Sequence, residues 1–147
     1  MVLLRWRLDE TYVKVSGQDR FLYRTVDKEG NTVEFLLIAK RDRNAALRFL
    51  EKAMKNHEEP SLINIDQSGA NTAGIGDFNE NQAADIEIRQ CKYLNNVIEQ
   101  DHRNIKGRIR SMLGFKSFWT AKVVLAGIEI IHMIRKGQMK LSVIRWF

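Results

Sequence analysis

The feature that most constrains this chain is a period of two that runs, with two short breaks, from Val2 to Ala39. Val2, Leu4, Trp6 and Leu8 alternate with Leu3, Arg5, Arg7 and Asp9, and the pattern extends through Tyr12, Val13, Lys14 and Val15. Only a pleated strand turns alternate residues to one face in this way. Gly17-Gln18 is read as the turn, Arg20 to Val26 as a second strand and Thr32 to Ala39 as a third. Between the last two, Asp27 to Asn31 forms a hairpin loop in which Gly30 is free to take a positive φ. Three strands joined by loops this short make an antiparallel meander.

After Ala39 the period changes. Asp42 is placed to cap a helix from Arg43 to about Asn56, with Leu47, Leu50, Ala53 and Met54 inward. Pro60 punctuates, and Ser61 to Ile65 is a short, nearly continuous apolar run of the kind covered on both faces. A strand that follows a helix most simply lies parallel to the first one, through a right-handed crossover. From Gln67 to Gln82 only a weak helical turn at Asn71 to Ile75 is expected, because Gly69, Gly74 and Gly76 disfavour it. Asp85 to Gln90 reads as a short fifth strand, and Ser117 caps a last helix running to about Lys136. That helix is apolar nearly all round, which suits a core contact plus a subunit interface. The expected fold class is therefore α/β, a three-layer domain with a mixed five-stranded sheet flanked by helices.

At 147 residues the chain fits one domain. Its charge is uneven: residues 1–100 hold 14 Lys+Arg against 16 Asp+Glu, whereas residues 101–147 hold 10 against 2, a net +8. An acidic front with a basic back suits a protein that holds a cation in one place and a polyanion beside it, although a merely basic surface has the same composition. Cys91 is the single cysteine, which excludes an intrachain disulfide and a cysteine-rich zinc site, and it reads as a small buried hydrophobe in a reducing cytoplasm. Arg5 and Arg7 break any leader-like run at the start. The longest apolar stretch, Val123 to Ile134, carries Glu129 and His132 and is too short to span a bilayer, so no membrane partner is expected.

The richest stretch is Tyr93 to Phe118. At 100° per residue Leu94, Ile98, Ile105, Ile109 and Met112 form one apolar stripe. Glu99 lies at its edge, and Lys106 and Arg110 return to nearly the same bearing, with His102 and Arg103 beside them. One acid thus heads a ridge of cations, where a solvated face more often mixes signs at i,i+4. Two further acids stand out. Asp9 is on the first strand and Asp66 ends the fourth, with 56 residues between them and 32 between Asp66 and Glu99. Three converging carboxylates repel one another unless a hard cation binds them through oxygen, and Mg²⁺ is the usual choice where phosphates share the site. Two such ions can drive an in-line phosphodiester displacement. The plainer alternative, that Asp9 and Asp66 are solvated strand-end acids, is open on the residues alone.

The segments WRLDETYVKVSGQDRFLYRTVDKEGNTVEFLL and YLNNVIEQDHRNIKGRIRSMLGFKSF, followed by LAGIEIIHMIRKGQ, resemble the catalytic domain of bacterial DDE-type insertion-sequence transposases of the IS-six family. The likeness runs from about Trp6 to Gln138. It implies an RNase H-like fold of the retroviral-integrase superfamily. It also implies a triad of Asp9, Asp66 and Glu99 holding two Mg²⁺, with Mn²⁺ as a substitute, and a basic residue two turns past the glutamate, here Lys106. The activity implied is hydrolysis of DNA phosphodiesters and transfer of a 3′-hydroxyl to target DNA, with Lys106, Arg103, Arg110 and His102 as DNA-binding residues. His102 reads equally as a hydrogen-bonded neighbour, Asp101 as the partner of a nearby base, and Glu10 as an accessory acid. The partners implied are transposon ends, target DNA and further copies of the chain in a homodimer or larger oligomer, in the cytoplasm at the nucleoid. Residues 1–147 would be the catalytic core, with the family's N-terminal helix-turn-helix region absent. An alternative from another class is a silent module that only binds DNA or dimerises, served equally by the apolar last helix and the basic half. Trp6, Trp119 and Trp146 read as core or interface, with base stacking as a second use for Trp119.

Overall fold

The computed structural model describes residues 4–65, 69–90, 96–112 and 114–138. Asp66, Cys91, Leu94 and Trp146, all singled out above, lie outside the described residues. Three strands open the chain: β1 (Arg5–Val15), β2 (Gln18–Asp27) and β3 (Thr32–Ile38). They pair antiparallel in sequence order. The first turn falls at Ser16-Gly17, one residue earlier than the expected Gly17-Gln18, with both residues at positive φ (52° and 76°). That geometry matches the right-handed twist of the strands it joins. In the second hairpin the Asp27 carboxylate accepts from the backbone N–H groups of Glu29 and Asn31, and Gly30 sits at φ 85°.

Helix α1 (Arg43–Asn56) begins at Asp42, whose carboxylate accepts from the N–H of Ala45 at 2.8 Å. Strand β4 (Leu62–Ile65) then lies parallel to β1, Arg5 opposite Leu62 and Arg7 opposite Asn64. Strand β5 (Glu87–Gln90) lies parallel to β4, which completes a mixed five-stranded sheet of order β3-β2-β1-β4-β5. The parallel placement expected of β4 and the mixed five-stranded sheet are both found.

Between β4 and β5 the expectation falls short. A full helix, α2 (Gly69–Gln82), stands where only a weak turn at Asn71 to Ile75 was expected. Its glycines explain both the weak signal and the helix. A Cβ built on Gly74 would stand 2.5 Å from the Cβ of Ala46 on α1, so the bare backbone lets the two helices close on one another. Ile75 and Phe78 are buried by that approach, and packing outweighs propensity. Gly74→Ala is therefore expected to destabilise the fold by about 1–3 kcal/mol through overpacking. Gly76→Ala meets nothing within 4 Å and is expected to stabilise it by up to about 1 kcal/mol. Urea unfolding of the two variants checks the opposed signs; equal signs would mean that α1 and α2 do not touch at Gly74.

The alternation of β1 divides the core. Trp6 and Leu8 face α1 and α2, packing with Tyr23, Phe49, Ile75 and Phe78. Val13 and Val15 face the other layer, helices α3 (Asn96–Arg110) and α4 (Phe118–Arg135), meeting Ile105, Ile109, Ala121 and Leu125. Asp9, in phase with Val13 and Val15, belongs to the α3/α4 side. Ser117 caps α4 by accepting from Thr120 N–H. One face of α4 packs inward, and Trp119 (71% exposed), Val123, Ile131 and Ile134 stand outward. Trp6 is core, whereas Trp119 is not. Among the described residues no helix is long and apolar enough to cross a membrane.

Candidate active site

Of the stripe expected on α3, Ile98, Ile105 and Ile109 are buried, and these set the helix's bearing. With that face inward, the ridge of Glu99, Lys106 and Arg110 runs along the outer side, and Lys106 sits where it meets the sheet. Its ammonium lies 3.3 Å from Oδ2 of Asp9. Nδ1 of His102 is 3.6 Å from the same oxygen, and Oδ1 of Asp9 accepts the backbone N–H of Glu10 at 2.9 Å. The acid of the first strand and the basic helix therefore meet at Lys106.

Glu99 is one turn before His102 and two turns before Lys106, a rise of about 10.5 Å over those seven residues. Its carboxylate is half exposed and paired with Arg103 at 2.7 Å. A solvated i,i+4 pair of this kind contributes a few tenths of a kcal/mol and exchanges readily. Arg110 is exposed and lines the same groove as Lys106. Among the described residues no three His, Cys, Asp or Glu side chains gather at metal-binding range. Strand β4 is described to Ile65, the residue before Asp66.

His102 differs from the surface role considered for it. It is only 4% exposed, which closes it to direct contact with a phosphate and suits the hydrogen-bonded neighbour instead. Nη1 of Arg24 lies 2.8 Å from its Nδ1. A guanidinium can only donate, so Nδ1 accepts and the ring proton sits on Nε2. Burial, helped by the positive charge of Arg24, pushes the imidazole down to about 4 despite the opposing pull of Asp9.

Behind this ring lies a cluster that sequence reasoning missed. Arg24 is the cross-strand partner of Asp9 on β2 and is 1% exposed. Its guanidinium donates to Glu129 on α4 at 2.5 Å and to Asp101 on α3 at 2.9 Å. Asp101 also takes His132 at 2.6 Å and Lys136 at 2.7 Å, and Lys136 donates onward to the carbonyl of Gly30. The pairing expected of Asp101 is thus met three times over. Burial alone would raise its pKa, but the hydrogen bonds from His132 and Lys136 and the charge of Arg24 outweigh this and hold it well below the usual carboxylate range. The missed signal lay in α4, where Glu129, His132 and Lys136 recur on one face of an otherwise apolar helix. Glu10, the weaker candidate, turns to the opposite side of the sheet. There it pairs with Arg41 at 2.7 Å and accepts from Asn71 at 2.7 Å, while burial raises its pKa against both partners.

Comparison with known proteins identifies the family. The family model described as a DDE domain, DDE_Tnp_IS240, matches residues 3–138. The transposase for insertion sequence-like element IS431mec of Staphylococcus aureus is 36% identical over 133 residues, 90% of this chain and 58% of that protein. The transposase for insertion sequence element IS257 in transposon Tn4003, also from Staphylococcus aureus, matches to the same extent. The chain thus spans less than two thirds of the length of these curated relatives. Among solved structures, the catalytic core domain of HTLV-2 integrase in its trimeric, magnesium-bound form superposes with a TM-score of 0.60 at 15% identity, covering 88% of this chain and 81% of that one. The catalytic core domain of BIV integrase gives 0.58 at 17%, covering 73% and 69%. These likenesses establish an RNase H-like fold. Together with the model matched along nearly its whole length, they show that the chain belongs to the DDE-domain family of insertion-sequence transposases.

Proposed function

We propose that this chain cuts and joins DNA strands, with Asp9, Asp66 and Glu99 as the metal-holding carboxylates of a polynucleotidyl transferase. The observation that carries the reading is the meeting of Asp9 with the cationic ridge of α3, Lys106 Nζ standing 3.3 Å from Asp9 Oδ2. An acid beside a phosphate-binding cation is what a phosphodiester requires, one group for the metal and one for the anion next to it. Asp66 is the next residue in the sequence after Ile65, with which the described part of the strand beside β1 ends. Glu99 is held to its neighbour only by a solvated pair that a stronger partner can replace.

The proposed donor set fits a divalent ion of the magnesium type, being carboxylate oxygen throughout. When bound by Asp9, Asp66 and Glu99, two such ions, Mg²⁺ or its substitute Mn²⁺, would supply the charge that activates an attacking oxygen and steadies the leaving one. The remaining work falls to this chain's own side chains. Lys106, Arg103 and Arg110 hold backbone phosphates and so fix the strand without reading its bases. His102, neutral and clamped by Arg24, forms a rigid wall behind Asp9. Water attacks first and a DNA 3′-hydroxyl second, and no covalent bond to the protein forms. The substrates are transposon ends and target DNA, acted on by more than one copy of the chain. The outward apolar residues of α4 suit the contact between copies.

Titration calorimetry of the purified chain with Mg²⁺ or Mn²⁺ tests the site. Saturable binding that Glu99→Gln weakens is expected, and heat no greater than dilution would leave a DNA-binding or dimerising module. Lys106→Ala is expected to weaken DNA binding evenly across sequences and to reduce the slope of log K against log salt by about one. An unchanged slope would remove Lys106 from the phosphate contacts.

A further inference from the structure

A second feature lies along the edge of β1. Among the described residues, β4 covers that edge from Arg5 to Arg7, and from Asp9 to Val13 β1 is paired on its β2 side alone. The edge closes again at Lys14, whose carbonyl accepts the N–H of Phe115 at 2.9 Å. Between these points a cavity of about 540 Å³ opens, with Tyr12 and Lys14 on one side and Lys106, Ile109 and Arg110 on the other. Strand alternation, with the Lys14 carbonyl turned outward, directs the N–H and C=O of Tyr12 toward the same space.

Three properties of this groove point to one kind of occupant. Its cations are available: Lys106 stands partly exposed beside Asp9, and Arg110 is exposed with no ion pair among the described residues. The nearby acid Glu10 is paired with Arg41 and accepts a hydrogen bond from Asn71. Tyr12 is 62% exposed, although its ring is braced on one side by Phe21, with centroids 5.3 Å apart. A core-forming tyrosine at this register would be covered, and a purely solvated strand edge would carry a charge or a small polar side chain. A braced, open aromatic ring across a strand edge from cations, with a backbone donor between them, is an arrangement that can hold single-stranded nucleic acid, the ring taking a base and the cations its phosphates.

We infer that the groove along the free edge of β1 seats a single DNA strand next to the carboxylate site, with Tyr12 as the platform on which one base stacks. The inference rests on the proposed function for the identity of the polymer, but not on the metal. Tyr12, in phase with Glu10, stands on the sheet face opposite Asp9, so it is here a positioning residue for a strand that crosses the free edge to reach Asp9. Because stacking uses the face of any base, the groove holds a frayed or nicked strand without regard to sequence and disfavours an intact duplex.

The test uses the full chain, without divalent ions, and a single-stranded oligonucleotide carrying 2-aminopurine. Binding is expected to quench the probe, and Tyr12→Ala is expected to weaken binding about tenfold, a typical loss for one stacked base, and to abolish the quench. Tyr12→Phe and Tyr12→Trp, which keep a ring, should retain both signals, and circular dichroism confirms that the alanine variant is folded. Equal binding and quenching by wild type and a folded Tyr12→Ala would overturn the inference. So would an equal loss in Tyr12→Ala and Tyr12→Phe, which would assign the effect to the hydroxyl. A fully paired duplex bound as tightly as the single strand through Tyr12 would overturn it as well. Calorimetry of Tyr12→Ala with Mg²⁺ keeps the two readings apart: it should match wild type, and a wild type that binds no metal defeats the carboxylate site without touching the stacking result.

Discussion

Replacing Arg24 with methionine is expected to cost about 3–5 kcal/mol of folding stability, a large share of the roughly 5–15 kcal/mol typical of a domain. The reason is what the substitution leaves behind. Glu129 is fully buried and Asp101 nearly so, and the guanidinium is the group that answers both charges. Asp101 keeps His132 and Lys136, but the structure gives Glu129 no other cationic partner among the described residues. An uncompensated carboxylate at that depth must take up a proton or draw in water, and either loosens α4 from the sheet. The pair itself need not be stabilising against a hydrophobic equivalent, so Arg24→Met combined with Glu129→Leu should recover much of the loss. Urea unfolding followed by the fluorescence of buried Trp6 measures both variants. A loss below about 1 kcal/mol for Arg24→Met would mean that the cluster is hydrated and contributes little.

The same cluster gives the fold an acid limit. His102 has a folded pKa of about 4, below the ordinary value for histidine of 6.5. Between those two values the unfolded chain takes up a proton that the folded chain refuses. The stability from keeping this ring neutral is therefore complete above pH 6.5 and is lost as the pH falls toward 4, at a slope of up to about 1.4 kcal/mol per unit. Asp101, whose pKa is also depressed, acts in the same sense at still lower pH.

This cluster also marks where the sequence stopped being legible. The strands and the helices α1 and α4 were readable because their signals are local, namely alternation, a capping Asp42 or Ser117, and glycine at positive φ in the second hairpin. The parallel placement of β4 followed from connectivity. Helix α2 was not readable, because Gly74 is favourable only against Ala46, a partner that local propensity does not contain. Arg24 was not readable for a similar reason. In RFLYRTV a charged residue on a strand suggests a solvated face, and its burial depends on Glu129 and Asp101, which lie far along the chain on two different helices. At the candidate site, the ridge on α3 was legible as helical spacing, and one of its members, Lys106, meets Asp9. The burial of His102 was not, since the spacing that sets it beside Arg103 says nothing about which neighbour the sheet covers.

Asp9→Asn is expected to reduce divalent-dependent nicking and strand transfer by at least about three orders of magnitude, a loss of roughly 4 kcal/mol of transition-state stabilisation. The change is nearly isosteric, so it removes charge and leaves shape. An amide offers one neutral oxygen where a carboxylate offers two that share a negative charge, and a hard cation is held mainly by that charge. Folding should be little affected, because Asp9 is partly solvated and its ties are a backbone N–H from Glu10 and an ion pair with Lys106. Binding of DNA should be equal or tighter, since one negative charge has left the groove and Lys106 is released to the phosphates. Loss of chemistry with retained or improved binding separates a catalytic carboxylate from a structural one, because a structural loss would lower both together. Asp66→Asn and Glu99→Gln should behave alike, and combining any two should add little, as groups acting as one unit are not additive. A Glu99→Gln variant that cuts DNA at the wild-type rate would detach α3 from the chemistry and leave its cations as a binding surface alone.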